Sequence, residues 1–236
     1  EEKLTEMKKD DGTITGTPDL SGVLDFLKAL SANNDRDWFN ARKDEYLQAK
    51  AKVEAFTAWL VAGMLKFDKE LALVDPRKCM YRIYRDIRFS NDKRPYKDFM
   101  GIFISKEGRH GACSGYYIHL QPGRSWYGAG VYGLPPEKQK KVRDGIYFQS
   151  ETLKKILSST AMKRVYGGKM DESSRMKVAP KGYAKDFPDM DLLKYRYYFV
   201  SAQASDKQVS SAGFARKVLD DLEAAWPFNE FLNEAL

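Results

Sequence analysis

The stretch GYYIHLQPGRSWYGAGVY, residues 115–132, decides the fold class of this chain. Apolar and polar side chains alternate on both sides of Pro122-Gly123, which places Tyr117 and His119 on one face of the first half and Ile118 on the other. A period of two residues, interrupted by a short turn signal, is typical of two antiparallel strands in a tight connection. The two segments predicted as strands are residues 115–121 and 125–132.

Further strands are predicted at residues 79–89, 99–105 and 197–202, and the short connections between the first four favour an antiparallel meander. Helical spacing of apolar residues from Phe39 to Phe67 predicts a long amphipathic helix. A last helix is predicted at residues 211–226, interrupted by Pro227.

These elements predict an α+β protein with a mainly antiparallel sheet and helices packed on one face. Residues 1–19 are polar, contain two glycines and a proline, and show no period, so we expect a flexible N-terminal tail. Residues 20–236 are predicted to form a single α+β domain.

The composition narrows the functional classes. Of the 236 residues, 43% are hydrophobic and 31% are charged, which is typical of a packed globular chain. No apolar run approaches the roughly 18 residues of a membrane span, and the start of the chain lacks the pattern of a signal peptide. We therefore expect a cytoplasmic protein with no membrane partner. Two cysteines and two histidines without metal-ligand spacing give no zinc motif.

The positive charge is concentrated in one region. The chain has a net charge of +7, and residues 77–97 alone hold eight basic and two acidic side chains. In an extended strand, Ile83, Arg85 and Ile87 would share one face, while Arg82 and Asp86 would share the other. An arginine on an apolar face requires a partner, because an unpaired buried charge costs several kcal/mol, on the order of 3–5.

We interpret this region as a pocket for a phosphate- or carboxylate-bearing small molecule, since the guanidinium group donates two parallel hydrogen bonds to such anions. Asp86 and His119 are the candidate catalytic residues, with His119 as an acid or base near neutral pH. The sequence identifies no reaction. The candidate ligand-binding residues are Arg82, Arg85, Arg88, Ser90, Asp92, Lys93, Tyr96, Lys97 and Arg143.

Other interpretations of the same residues remain open. Basic residues interleaved with Tyr and Phe also suit a nucleic-acid-binding surface, which we expect less than a small anionic ligand. A third alternative is a protein-interaction module in which the charges form a structural ion-pair network. Asp86 and Asp92 are opposed by five nearby cations, so neither a metal site nor a cofactor is predicted. Gly128 and Gly130 have no side chains and leave a shallow depression on one face of the sheet, where a ligand or a crossing helix could approach closely. We expect a helix to pack there.

The segment RIYRDIRFSNDKRPYK, residues 82–97, resembles the signature R-I-x-R-D-x-R-F-S-x-D-K-x-P-Y-K of a widespread bacterial and fungal family of uncharacterised proteins, a domain of unknown function. Residues 33–39, 115–120 and 180–183 resemble other segments of that family. The similarity runs from about Leu20 to the C-terminus and implies one domain with a shared site, but no particular reaction. Asp98 departs from the family pattern, in which a small or hydroxyl residue follows the lysine.

Overall fold

The computed structural model describes residues 16–236, and the order of elements follows the predicted change from helices to strands and back. The helices before the sheet are α1 (Val23–Ala32), α2 (Arg36–Ala41) and α3 (Lys43–Met64). Asp35 caps α2 by accepting a hydrogen bond from the Trp38 amide at 2.8 Å. The predicted long helix is divided near Arg42, since α2 ends at Ala41 and α3 begins at Lys43. Short 3₁₀ turns at Lys69–Leu73 and Pro76–Lys78 then lead into the sheet.

The sheet has four antiparallel strands in the order β1-β2-β3-β4. Their bounds are Met100–Ile104 for β1, Gly115–Leu120 for β2, Ser125–Val131 for β3 and Tyr198–Ala204 for β4. In the register, Gly101 lies opposite His119, Tyr117 opposite Gly128, and Gly128 opposite Ser201. The α+β class is confirmed, and these four strands lie within two residues of their predicted bounds.

Helices form most of the remaining chain. Between β3 and β4 lie α4 (Pro136–Phe148), α5 (Ser150–Ser158), α6 (Thr160–Tyr166) and α7 (Met190–Leu193), together with a 3₁₀ turn at Glu172–Ser174. After β4 come α8 (Asp206–Val209) and α9 (Phe214–Glu234). The expected interruption at Pro227 was wrong, because α9 continues through the proline. Phe228, Phe231 and Leu232 beyond it are buried in the core, and their packing stabilises this last part of the helix.

One face of the sheet is covered by helices and forms the centre of the core. Tyr127 on β3 donates a hydrogen bond to Asp221 of α9 at 2.6 Å, which fixes α9 against this face. Ten sheet residues on the helix-covered face are at most 3% exposed: Ile102, Ile104, Tyr116, Ile118, Leu120, Tyr127, Ala129, Val131, Tyr198 and Val200. Gly128 and Gly130 alternate with these residues and lie on the opposite face, so the expected helix crossing over the glycines was wrong.

The predicted strand at residues 79–89 was also wrong. Its start pairs with β1, where the Tyr81 amide donates to the Gly101 carbonyl at 2.9 Å. The chain then pairs with the segment just before β1, where the Arg85 amide donates to the Pro95 carbonyl at 2.9 Å. The pairing partner changes near Arg82, so no continuous ladder forms, although Ile83 still faces the core.

The predicted flexible tail lies mostly outside the described residues, which begin at Gly16. At the end of that tail, Asp19 forms an ion pair with Lys52 of α3 at 2.8 Å. Leu20 follows it and is buried. No helix within the described part of the chain is both long and apolar enough to cross a membrane.

Candidate functional site

The predicted anion site divides into two parts in the structure. We call residues 86–94 the charged loop, because this segment connects the paired ends formed by residues 83–85 and 95–97. We call Arg82, Lys97 and Arg109 the edge cations, because they lie beside β1 at one edge of the sheet.

The arginines in and beside the charged loop are paired with its carboxylates. Arg88 donates to Asp86 at 2.7 Å and 3.0 Å, and Arg94 donates to Asp92 at 2.7 Å. Arg85 reaches the same Asp92 at 2.6 Å and donates to the Arg94 carbonyl at 3.2 Å. Hydrogen bonds from Arg88 lower the pKa of Asp86 to about 2, and those from Arg94 lower the pKa of Asp92. The sequence correctly requires a partner for Arg85, and that partner belongs to the protein.

The other candidates in this segment have structural contacts. Lys93 donates to the Ile87 carbonyl at 3.1 Å, and the Ser90 amide donates to the same carbonyl at 3.4 Å, so both close the loop. Tyr96 is 4% exposed and its ring stacks on Phe39 at 4.0 Å. The ring of Tyr96 therefore packs in the core.

Arg143 is placed elsewhere. From α4 it donates to the Tyr195 carbonyl at 3.0 Å and to the Tyr198 hydroxyl at 3.3 Å. Tyr198 begins β4, which lies at the opposite edge of the sheet from β1. Three strand spacings separate these edges by about 14 Å. The structure does not bring Arg143 together with the charged loop.

The edge cations differ from the loop cations in their surroundings. Within residues 16–236, no carboxylate oxygen lies within 4.0 Å of the charged nitrogens of Arg82, Lys97 or Arg109. The Lys97 Nζ donates to the Arg82 carbonyl at 2.9 Å and lies 5.6 Å from the centre of the Tyr81 ring. The Arg109 guanidinium also lies 5.6 Å from that ring, and it donates to the Met80 carbonyl.

This arrangement is electrostatically unfavourable for the charged form of Lys97. Partial burial lowers the pKa of Lys97, and the positive charges of Arg82 and Arg109 lower it further. A bound anion would relieve this repulsion and stabilise the charged ammonium. Sequence reasoning missed Arg109, which lies in the connection between β1 and β2, because nothing in the sequence places that connection beside Tyr81.

The face of the sheet opposite the helices, which we call the open face, carries half-buried aromatic side chains. Phe99 lies 4.4 Å from His119, Tyr117 lies 4.8 Å from Trp126, and Trp126 lies 6.3 Å from Phe199, measured between ring centres. All five are partly exposed, in contrast to the fully buried residues that alternate with them. The edge cations lie at the β1 end of this row, since Lys97 Nζ is also 5.7 Å from the Phe99 ring.

A glycine allows one of these rings to lie flat on the sheet. A Cβ atom at position 101 would lie 2.8 Å from the Tyr117 hydroxyl oxygen and 3.3 Å from the Tyr81 ring. Both rings therefore require Gly101 beneath them. The Tyr81 and Tyr117 ring centres are 6.4 Å apart, so the row of aromatic rings continues from the open face to the edge cations.

His119 belongs to a chain of hydrogen bonds on this face. Gln121 Nε2 donates to Asp98 Oδ1 at 3.2 Å, and a carboxylate can only accept, so the Gln121 carbonyl oxygen faces His119 Nε2 at 3.0 Å. His119 Nε2 therefore carries the proton, and Nδ1 accepts from the Tyr117 hydroxyl at 3.1 Å. Asp98 ends this chain.

Burial lowers the pKa of His119, although the hydrogen bond to Gln121 and the charge of Asp98 act in the opposite direction. The neutral imidazole of His119 is hydrogen-bonded at both nitrogens, to Gln121 and to the Tyr117 hydroxyl, and so holds the Tyr117 ring in place. Any proton exchange at Nδ1 passes through the Tyr117 hydroxyl. Asp86 takes no part in this chain, so the two predicted catalytic residues are not brought into one hydrogen-bonded group.

Two cavities among the described residues have linings without any edge cation. One of about 260 Å³ lies between the end of α1 and the sheet and is lined by Lys28, Asp98 and Gln121 among others. The other, of about 410 Å³, lies between α4 and the end of α9. Among residues 16–236, no cluster of three or more His, Cys, Asp or Glu side chains is arranged to hold a metal ion.

The fold and this site define an α+β protein whose four-stranded antiparallel sheet has one face buried by helices and one open aromatic face, bordered by cations. The family model described as "Conserved hypothetical protein (DUF2461)" matches residues 22–231, and the chain belongs to this family. No curated protein and no solved structure matches the chain.

Proposed function

We propose that the protein binds an anionic ligand that carries a planar group, at the β1 end of the open face. The edge cations would bind the phosphate or carboxylate group, and the aromatic rings of the open face would contact the planar group. The observation that carries the proposal is that Lys97 and Arg109 both lie over the Tyr81 ring, with Arg82 beside Lys97, and that none of the three has a carboxylate partner among the described residues.

The energetic reason is the contrast with the charged loop. Arg85, Arg88 and Arg94 already donate to Asp86 or Asp92, so an incoming anion would have to displace a resident carboxylate. At the edge, an anion adds a partner where like charges oppose one another. Hydrogen bonds to charged groups contribute about 1.5–3 kcal/mol each. We therefore locate the anion at Arg82, Lys97 and Arg109, and assign the charged loop a structural part.

The aromatic row supports the planar part of the ligand. Tyr81 is contacted by both Lys97 and Arg109, so an anion held by these cations lies next to its ring. Tyr117 and Trp126 follow on the open face, and partly exposed rings of this kind stack with flat ligand groups. Backbone hydrogen bonds between residues 83–85 and 95–97 hold the two segments that carry Arg82 and Lys97 next to each other.

Isothermal titration calorimetry with adenosine 5′-monophosphate, adenosine and inorganic phosphate tests the proposal. The monophosphate combines an anion with a flat ring, and we expect it to bind more tightly than either partial ligand. Lys97→Met should weaken its binding about 10- to 100-fold, which corresponds to one charge-assisted hydrogen bond.

Two matched variants serve as controls. Lys155→Met removes an exposed lysine from α5, and Arg88→Met removes a cation of the charged loop. Both should leave the affinity unchanged within a factor of two. Equal losses in Lys97→Met and Arg88→Met, or no binding of any of the three compounds at millimolar concentration, would contradict the proposal.

A further inference from the structure

We infer that the ligand class of this site is single-stranded nucleic acid, with phosphates at the edge cations and unpaired bases stacked across the open face. This inference rests on the proposed function, because it uses the same cations for the phosphate groups. It extends the site from the β1 edge across the whole sheet to β4.

The extent of the aromatic surface is the first reason. Beyond Trp126 on β3, the open face ends in Tyr132, which is 74% exposed and stacks on Tyr197 with 3.8 Å between the ring centres. Six residues along the strand place Trp126 and Tyr132 about 20 Å apart. A single small molecule cannot contact both the edge cations and this tyrosine pair, whereas a chain of several nucleotides can.

The distribution of charge is the second reason. Arg196 lies next to Tyr197 at the far end of the aromatic surface, and no carboxylate within the described residues pairs with it. Cations therefore border the aromatic surface at both ends. The carboxylate of Asp171, which reaches β4 at Ser201, already accepts hydrogen bonds from Ser201 and from the Ser173 amide. A backbone of phosphates is attracted to the two ends of this surface.

The shape of the face is the third reason. Pockets for small ligands are concave and bury most of the ligand, whereas the aromatic rings of the open face are spread along the sheet, and the smaller cavity described above borders this face only through Gln121 and Asp98. An open sheet with exposed aromatic rings and neighbouring cations suits unpaired bases, since every base presents a flat surface for stacking. In a duplex the bases stack on each other and their flat surfaces are inaccessible.

Fluorescence anisotropy tests this inference with a labelled 12-nucleotide oligo-dT, the same length of oligo-U, and a 12-base-pair duplex. We expect at least one of the single strands to bind, and the duplex to bind at least tenfold more weakly. Affinity for the single strand should fall with increasing salt. The slope of log affinity against log salt concentration should be smaller in magnitude by about 0.7 in Lys97→Met, which is the value for one phosphate contact.

Tyr132→Ala is the decisive variant because Tyr132 is exposed and its removal leaves the core intact. Loss of one stacked base should weaken binding of the 12-nucleotide strand about 5- to 100-fold. Phe148→Ala is the matched control, since Phe148 is 79% exposed on α4 and lies outside the open face. Circular dichroism of each variant confirms that it is folded.

The outcomes separate the inference from the proposed function. If adenosine 5′-monophosphate binds in a Lys97-dependent way, but the 12-nucleotide strands bind no more tightly and Tyr132→Ala has no effect, the nucleic-acid class is overturned and the anion site stands. Equal affinity for the duplex would also overturn the inference. If neither the monophosphate nor any oligonucleotide binds, both proposals fail.

Discussion

The two faces of the sheet are built from alternate residues of the same four strands, and they differ in what covers them. On the helix-covered face, Ile118 and Tyr127 are at most 1% exposed, and α9 is hydrogen-bonded to it through Asp221. On the open face, Tyr117 and Trp126 are half-buried and contact mainly one another and neighbouring aromatic residues.

This difference separates the residues that stabilise the fold from the residues that we propose bind the ligand. The helix-covered face removes its apolar surface from water, at about 25 cal/mol per Å², and this term drives formation of the core. The open face retains aromatic surface and cations beyond what the fold requires. Residues that stabilise the protein and residues available to a ligand therefore alternate along each strand. The following predictions test this division, beginning with the largest expected effect.

Ile118→Ala should be the most destabilising change, because it opens a cavity in the fully buried face. We expect the free energy of unfolding to fall by about 3 kcal/mol, as for other buried Ile-to-Ala changes. Phe199→Ala on the open face removes a larger side chain that is only partly buried, and we expect less than half of that loss. Urea denaturation of both variants measures the difference. Equal losses would show that the two faces contribute equally to the core.

Low pH should destabilise the open face through His119. Its pKa is lower in the folded protein than in the unfolded chain, so the unfolded chain binds more protons as the pH falls below about 6.5. Stability is therefore full above this pH and decreases below it, by at most about 1.4 kcal/mol per pH unit.

Urea denaturation at pH 7.5 and pH 5.5 checks this expectation. The decrease should be smaller in His119→Gln, which cannot gain the proton. Tyr117 and Asp98, at the two ends of the hydrogen-bond chain through His119, are unchanged in the variant. The same decrease in both proteins would show that another group is responsible.

Lys97→Met should leave the protein as stable as the wild type or slightly more stable. The substitution removes a partly buried charge that faces Arg82 and Arg109 and has no carboxylate partner within residues 16–236. We expect a gain of up to about 0.5 kcal/mol in the free energy of unfolding at pH 7. Stability gained together with lost ligand binding is the pattern of a residue placed for function. A loss above 1 kcal/mol would indicate a structural role for Lys97.

The smallest effect is expected in the charged loop. Asp86→Ala and Arg88→Ala break an exposed ion pair that is screened by water and salt. The melting temperature of each variant should stay within about 1 °C of the wild type, as measured by differential scanning fluorimetry. A clear drop in melting temperature that disappears in 0.5 M salt would contradict the view that this pair is structurally weak.

Much of the fold could be predicted from local patterns. The alternation in β2 and β3 identified both strands and assigned Tyr117 and His119 to the face opposite Ile118, as the structure shows. The exceptions have tertiary causes. Residues 79–89 alternate like a strand, but they pair first with β1 and then with residues 95–97. The proline within α9 is tolerated because the residues that follow it are buried.

The candidate site could be predicted only in part. Arg82, Lys97 and His119 were identified from the sequence and lie near the open face. Arg109 could not be identified, because its contact with Tyr81 depends on how the connection between β1 and β2 folds back. Arg85, Arg88 and Arg94 looked equivalent to Lys97 in the sequence, but their resident carboxylates satisfy them.

The sequence by itself determined which residues share a face, because the side-chain period of a strand is a local property of the backbone. It also determined that residues 82–97 contain more cations than carboxylates. Only the tertiary structure decided which cations have partners and which sheet face the helices cover. Arg88 and Arg94 pair with carboxylates only two residues away in the chain, but the grouping of Lys97 with Arg82 and Arg109 away from any carboxylate depends on how separate segments pack around Tyr81.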